Sequence, residues 1–341
     1  MRKNEQKHRL TVLIMGIALI LCVLGSFTLG RYPVPLRELL GILGNKLGLP
    51  MEPFWTPSME AAVWNIRLPR VILSVLVGAC LAAAGGAYQG VFQNPMASPD
   101  ILGASAGAGF GAALAILLGA SSMVITLGAF VSSLVTVALV FTVSRYARGD
   151  RVLGLVLAGI MISSLFQSGT SFLKLVADPN NQLPQITYWL MGSLSGAKWS
   201  DIGFVLLPML AGLIPLLLLR WQLNVITMGD DEARALGVNP QKIRLWIAIC
   251  ATLVTASAVS VSGMIGWVGL VIPHMMRRLV GSDYRYLMPA SMLGGGIFLL
   301  VVDNVSRNAA ASGIPIGILT AFIGAPFFLW LITGKGDHYE H

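Results

Sequence analysis

Apolar residues fall in runs of membrane length, and the short stretches between them hold most of the charge. The first run covers residues 10–29 and follows a basic head made of Arg2, Lys3, Lys7 and Arg9. A secretory signal has an apolar core of about 7–15 residues and then a small-x-small cleavage site. This run is longer and shows no such site, so it predicts a retained helix with its N-terminus inside. Further runs predict helices over 71–93, 101–119, 123–144, 152–175, 202–219, 245–263, 265–276, 286–305 and 315–332, ten with the first. Residues 36–47 and 186–194 have the spacing of surface helices instead. Pro50, Pro53 and Pro57 mark irregular chain, and Asn94-Pro95 separates the second helix from the third.

The longest polar interruption is residues 224–244. It predicts a short helix after Gly229. Asp230, Asp231 and Glu232 occupy its first turn, where carboxylates meet the partial positive charge of free amides. Ala233, Arg234, Ala235 and Leu236 continue it, Gly237 is placed to end it, and Asn239-Pro240 turns the chain away. Arg220 precedes the segment, and Lys242 and Arg244 follow it, which marks the cytoplasmic side. Arg145, Arg148, Arg151, Arg234, Arg277, Arg278, Arg285 and Lys335 join them and the basic head, so most of the 23 basic residues fall inside.

Of the 341 residues, 55% are hydrophobic and 11% charged, which defines an all-α polytopic membrane protein of one domain over 1–341. The net charge of +8 is scattered over loop ends rather than gathered in a stripe, so nucleic acid is not a partner and membrane lipid is. Cys22, Cys80 and Cys250 lie inside apolar runs as small hydrophobes, and the four histidines are dispersed, so no disulfide frame or metal site is expected. No G-x-x-x-x-G-K-[ST], G-x-S-x-G or H-E-x-x-H is present, which argues against an enzyme. Asp303 is the one acidic residue well inside a predicted helix, with Arg307 four residues on as its expected partner. A gradient-driven carrier needs more intramembrane acid than this. Gly103, Gly107 and Gly111, and Gly294 to Gly296, predict close helix packing. Gly85-Gly86 closing on Asn94-Pro95, and Gly263-x-x-Gly266 closing on Pro273-His274, suggest inverted repeats over about 64–175 and 243–333.

Several separated motifs carry a resemblance. Arg67-Leu68-Pro69-Arg70 leads into Gly78 to Gln89 and then Asn94-Pro95-Met96-Ala97-Ser98-Pro99-Asp100-Ile101-Leu102-Gly103. Leu157-Ala158-Gly159, Trp189 to Leu194, Gly266 to His274 with Arg277, Ile314 to Gly317 and Gly324 to Phe328 follow in order. In these blocks the chain closely resembles the FecCD-type permeases, membrane subunits of ABC importers for iron-siderophores, haem and cobalamin, over nearly its whole length.

Membership of that family implies a ten-helix subunit that pairs with a second copy of itself. Two ABC ATPase subunits dock inside, carrying ATP and magnesium, and an extracytoplasmic binding protein docks outside. No cofactor is implied on this chain. The resemblance makes Gly229 to Val238 the coupling helix that seats on an ATPase, and gives Arg67, Arg70 and Arg307 the task of docking the binding protein. It places gate or pathway residues at Val152, Leu153, Gln89, Asn94 and Pro95. Many relatives have Glu where this chain has Gly313, and Phe where it has Trp267. The cobalamin branch has small hydroxyl residues where this chain has Val152 and Leu153. The expected cargo is therefore a ferric siderophore or haem, in the bacterial or archaeal cytoplasmic membrane with both termini inside. Two alternatives stay open, a cobalamin importer of the same family and a gradient-driven secondary transporter.

Overall fold

The computed structural model describes residues 2–30, 32, 34–49, 53–146, 151–310 and 313–333, and these form helices joined by short turns with no strand among them. Arg148 and Lys335, two of the expected inner cations, lie outside the described residues, as do Pro33, Pro50, His338 and His341. In chain order the helices are α1 (Arg2–Thr28), α2 (Leu36–Lys46), α3 (Pro57–Ala61), α4 (Leu68–Val91), α5 (Ala104–Leu117), α6 (Ser122–Ser144) and α7 (Arg151–Val176). They continue with α8 (Gln182–Leu190), α9 (Trp199–Leu218), α10 (Arg220–Thr227), α11 (Asp230–Ala235), α12 (Pro240–Ser262), α13 (Val268–Val280), α14 (Tyr284–Ala309) and α15 (Ile316–Thr333). Seven stretches are long and apolar enough to cross a membrane, α5 and α15 supply shorter apolar helices, and the 13-residue α13 completes the expected ten.

Local chemistry explains where the elements depart from expectation. Helical chain begins at Pro57, well before the predicted start at 71 and inside the stretch expected to be irregular. Pro57 starts α3 after Thr56, whose hydroxyl accepts the Met59 N–H at 3.3 Å, and a wide π-type turn over Ala62–Arg67 carries the chain into α4. The α8 helix begins four residues before the predicted surface helix and ends where Gly192 takes φ +73°. Asn239-Pro240 does not turn the chain away: the Asn239 side chain accepts the Lys242 N–H at 3.1 Å and caps α12, with Pro240 in its first turn. Pro273 lies inside α13 and does not close it. The α10 helix, with Leu223, Val225 and Ile226 buried, was not expected at all.

The centre of the molecule is α4, 83% buried over its membrane window, with α12 at 72% and α14 at 61% beside it. Its glycines let backbone meet backbone. A Cβ on Gly78 would overlap the Gly295 carbonyl of α14, and one on Gly85 would overlap the Gly269 carbonyl of α13. Gly107 and Gly111 hold α5 against the Ser132 and Gly128 carbonyls of α6 in the same way. Because a carbonyl in a helix cannot step aside, Gly85→Val is expected to lower stability by about 1–3 kcal/mol or more. Gly203→Ala on α9, with open space beside it, is the control, and the unfolding temperature of the purified permease in detergent is the measurement.

Hydrogen bonds sort the helix ends into two faces. The end of α1, the start of α4 and the end of α14 meet through Arg67, Arg70 and Asp303. The end of α4 and the starts of α12 and α14 meet α10 and α11 through Gln93, Arg244 and Asn224.

Candidate functional site

Between the two faces lies a hollow of about 1010 Å³. Its walls are the Asp100-Ile101 turn and first residues of α5, the middle of α7, the end of α8, Met264 to Gly266, and α15. Two interrupted helices supply the irregular parts. One interruption runs from the end of α4 to α5 through Gly103 at φ +76°, and the other from α12 to α13 between Gly263 at φ +67° and Trp267 at φ +71°. Irregular backbone at membrane depth needs partners from the protein, since lipid offers none. Here Ser193 N–H donates to the Ser262 carbonyl at 2.7 Å, Ile316 N–H to Gly192 at 2.8 Å, and Gly317 N–H to Met191 at 3.1 Å. Three short non-helical pieces are thus stitched together behind the hollow.

The lining is mostly apolar, with Ser105, Ser163, Ser164 and Gln167 as its neutral polar side chains and Asp100 as its one charge. The Asp100 carboxylate accepts from the Ser105 hydroxyl. Gln167, Ser164, Ser168 and Ser171 are exposed on α7, a helix only 17% buried over its membrane window. Ser164 and Ser171 donate to the Ile160 and Gln167 carbonyls one turn back at 2.9 and 3.0 Å, but lipid tails would leave the Gln167 amide and the Ser168 hydroxyl unsatisfied. The surface they occupy therefore faces water or protein.

On one face, three arginines surround a single carboxylate. Asp303 is wholly buried, and Arg70 grips it through Nη2 at 2.8 Å and Nε at 2.9 and 3.1 Å. The expected Arg307 pair is present at 3.4 Å, but it is the looser one. Arg307 also donates to Ser26 Oγ at 2.8 Å and to Asn304. Arg67, 6% exposed, donates to the carbonyls of Phe27 and Tyr32. All three arginines line a pocket of about 300 Å³ with Tyr188, Ser193 and Ser195. They are therefore tethered side chains around a net positive recess, rather than free surface cations.

On the other face, α11 has the form expected of it. Gly229 enters at φ +128°, and Asp230, Asp231 and Glu232 form the first turn. The exit is a Schellman turn, with Val238 N–H donating to Ala233 at 2.9 Å, Gly237 N–H to Arg234 at 3.0 Å, and Gly237 at φ +77°. Ala233 is wholly buried against the body of the protein, while Leu236 is 53% and Met228 63% exposed. Arg244 on α12 holds Asp230 with contacts of 2.6 and 3.1 Å. Asn224 on α10 donates to Asp283 at 2.7 Å and accepts the Tyr284 N–H at 2.8 Å, while Gln93 after α4 donates to the Ile226 carbonyl at 2.9 Å. This segment is thus tied to α4, α12 and α14. Burial raises the Asp283 carboxyl, but bonds from Arg285 and Asn224 outweigh it and hold the group below the ordinary carboxylate value.

The five expected gate or pathway residues do not come together, and none lines the large hollow. Gln89 is buried on α4, accepting from Arg277 Nη1 at 2.6 Å and donating to the Leu270 carbonyl at 3.2 Å. Asn94 accepts the Met96 N–H in its own turn at 2.8 Å, and Pro95 sits in a small niche with His274 and Phe328. Val152 borders a separate hollow near Arg145 and Arg244, and Leu153 is 57% exposed. Asp100, Ser163, Ser164 and Gln167 had drawn no functional expectation. The available signal was a cluster of polar residues in an otherwise apolar α7.

The model of the FecCD transport family matches residues 18–334. The chain is 38% identical over 323 residues to the molybdate import system permease protein MolB of Haemophilus influenzae, covering 93% of this chain and 94% of that one. It is 38% identical over 339 residues to the hemin transport system permease protein HmuU of Yersinia pestis, covering 95% and 96%. Among solved structures, one described as an inward-facing metal-chelate type ABC transporter superposes with a TM-score of 0.84 at 36% identity, covering 94% of this chain and 98% of that one.

Proposed function

The chain belongs to the FecCD transport family of ABC importer permeases, and from that premise we propose that two copies of it enclose the pathway of an ATP-driven importer for a ferric siderophore or haem. The observation that carries this reading is the open hollow of about 1010 Å³ with Gln167 and its serine neighbours exposed on α7. A second copy set against α7 and α15 would close the hollow and give those polar groups a water-filled channel instead of lipid. Two interrupted helices meeting at one cavity fit the plan of many transporters, and they support inverted repeats over about 64–175 and 243–333.

Cargo class follows from the lining. Among the described residues the lining holds no cation to retain a small oxoanion such as molybdate, while a bulky chelate finds mostly apolar wall with a few hydroxyls, one amide and the Asp100 carboxyl. In this reading the face bearing α11 is cytoplasmic, where ATPase subunits carry the nucleotide and magnesium. The arginine recess faces outward and takes acidic side chains of a binding protein, whose contacts orient docking more than they add affinity.

The test is uptake into proteoliposomes holding this permease and its ATPase, with the binding protein outside. Radiolabelled ferric chelate is expected to accumulate only with ATP, and the competitor that suppresses it, haem or cobalamin, names the cargo branch. Accumulation driven by an ion gradient without ATP would overturn the reading.

A further inference from the structure

A second hollow, of about 370 Å³, opens on the face that carries α11, between the ends of α4 and α6 and the starts of α7 and α12. It combines two chemistries. Its deep wall is apolar, made by Phe92, Phe141, Val152, Leu155 and Ala248. Its rim holds Arg145, Arg244 and Gln241, all able to donate. Arg145 is exposed and makes no ion pair among the described residues. The Arg244 guanidinium faces Asp230 with Nη1 and Nη2, but its Nε is buried and has no hydrogen-bond partner. With one cation neutralised by Asp230 and the other free, the rim is net positive.

Position decides what such a recess receives. The residue after Arg145 is Tyr146, 84% exposed, and two positions beyond Arg244 stands Trp246, 59% exposed. Exposed aromatic side chains at the ends of spans mark the level of lipid headgroups. Basic pockets between spans at that level suit phosphate headgroups, with apolar walls below for the acyl chain. We propose that this hollow binds an anionic phospholipid, its phosphodiester between Arg145, Gln241 and Arg244 and one chain against Phe141 and Leu155.

The experiment uses the full permease with its ATPase subunits in nanodiscs containing equal phosphatidylglycerol and phosphatidylcholine, and reads retained lipid by native mass spectrometry. Phosphatidylglycerol is expected to be retained over phosphatidylcholine by roughly fivefold, the effect of one uncompensated cation near a headgroup, and Arg145→Gln to bring that preference close to one. Leu155→Trp, which fills the hollow and leaves both arginines, is expected to remove the retained lipid with the unfolding temperature unchanged. Equal retention of the two lipids would overturn the proposal. Displacement of phosphatidylglycerol by millimolar inorganic phosphate would assign the rim to free phosphate instead. A preference shown by the permease alone in the same nanodiscs and lost in the complex with the ATPase subunits would overturn it in favour of an acidic segment of that partner.

Discussion

Asp303→Ala is expected to lower the stability of the permease by about 3–5 kcal/mol, the size of effect seen when one partner of a buried ion pair is removed. The carboxylate is wholly buried and is the sole counter-charge of Arg70 and Arg307 among the described residues, and the two arginine side chains are each only 12% exposed. Without it, two guanidinium groups stay desolvated beside a third, Arg67, and repel one another in a medium that screens little. Asp303→Asn keeps the shape and part of the hydrogen bonding, so it is expected to fall between alanine and wild type. The pairing also makes a non-additive prediction: once Asp303 is alanine, Arg70→Ala is expected to cost less than it does in wild type. Unfolding in detergent micelles measures all four variants. Asp231→Ala, on a side chain 93% exposed, is the control and is expected to leave the unfolding temperature in place. An Asp303→Ala protein that unfolds with wild type would refute this account of the cluster.

Leu236→Asp is expected to reduce ATP-driven uptake by at least about tenfold while the protein keeps its wild-type unfolding temperature. Interface energy concentrates in a few well-placed side chains, and at the end of α11 the large apolar side chain that faces outward is its C-cap Leu236, 53% exposed. Ala233 behaves oppositely. It is wholly buried against the permease itself, so Ala233→Arg displaces α11 from its own body and is expected to lower stability as well as uptake. Measuring uptake and unfolding on both variants separates loss of ATPase contact from loss of fold. Unchanged uptake in Leu236→Asp would remove α11 as the coupling element.

Much of this architecture was legible in the chain because membrane helices are written in long apolar runs, and their number and order need no tertiary information. The α11 helix was equally plain, since acid in its first turn and Gly237 after its last are local signals. Boundaries failed where local chemistry and hydropathy disagree. Pro240 looks like a breaker until Asn239 is seen to cap the helix it begins, and the polar first residues of α1 carry no apolar signal although they are helical. The large hollow was harder still. Its polar side chains come from α5 and α7 and from a turn before α5, and only packing brings Asp100 and Gln167 to one cavity. The Asp303 cluster was half legible: Arg307 is four residues away on the same helix, but Arg70 comes from 233 positions earlier in the chain.

The contacts of α4 also bear on how the protein moves. Side chains at a helix interface can change rotamer and let two helices slide, but a Cα hydrogen against a carbonyl has no such adjustment. Where Gly78 meets Gly295 and Gly85 meets Gly269, no side chain lies between the partners to act as a bearing. The block made of α4, α13 and α14 should therefore behave as one stiff member during transport. The same kind of contact ties α7 at Gly159 to the Ile101 carbonyl and α15 at Gly317 to the Met191 carbonyl, so these helices are held to the irregular pieces around the hollow and should follow them when they move.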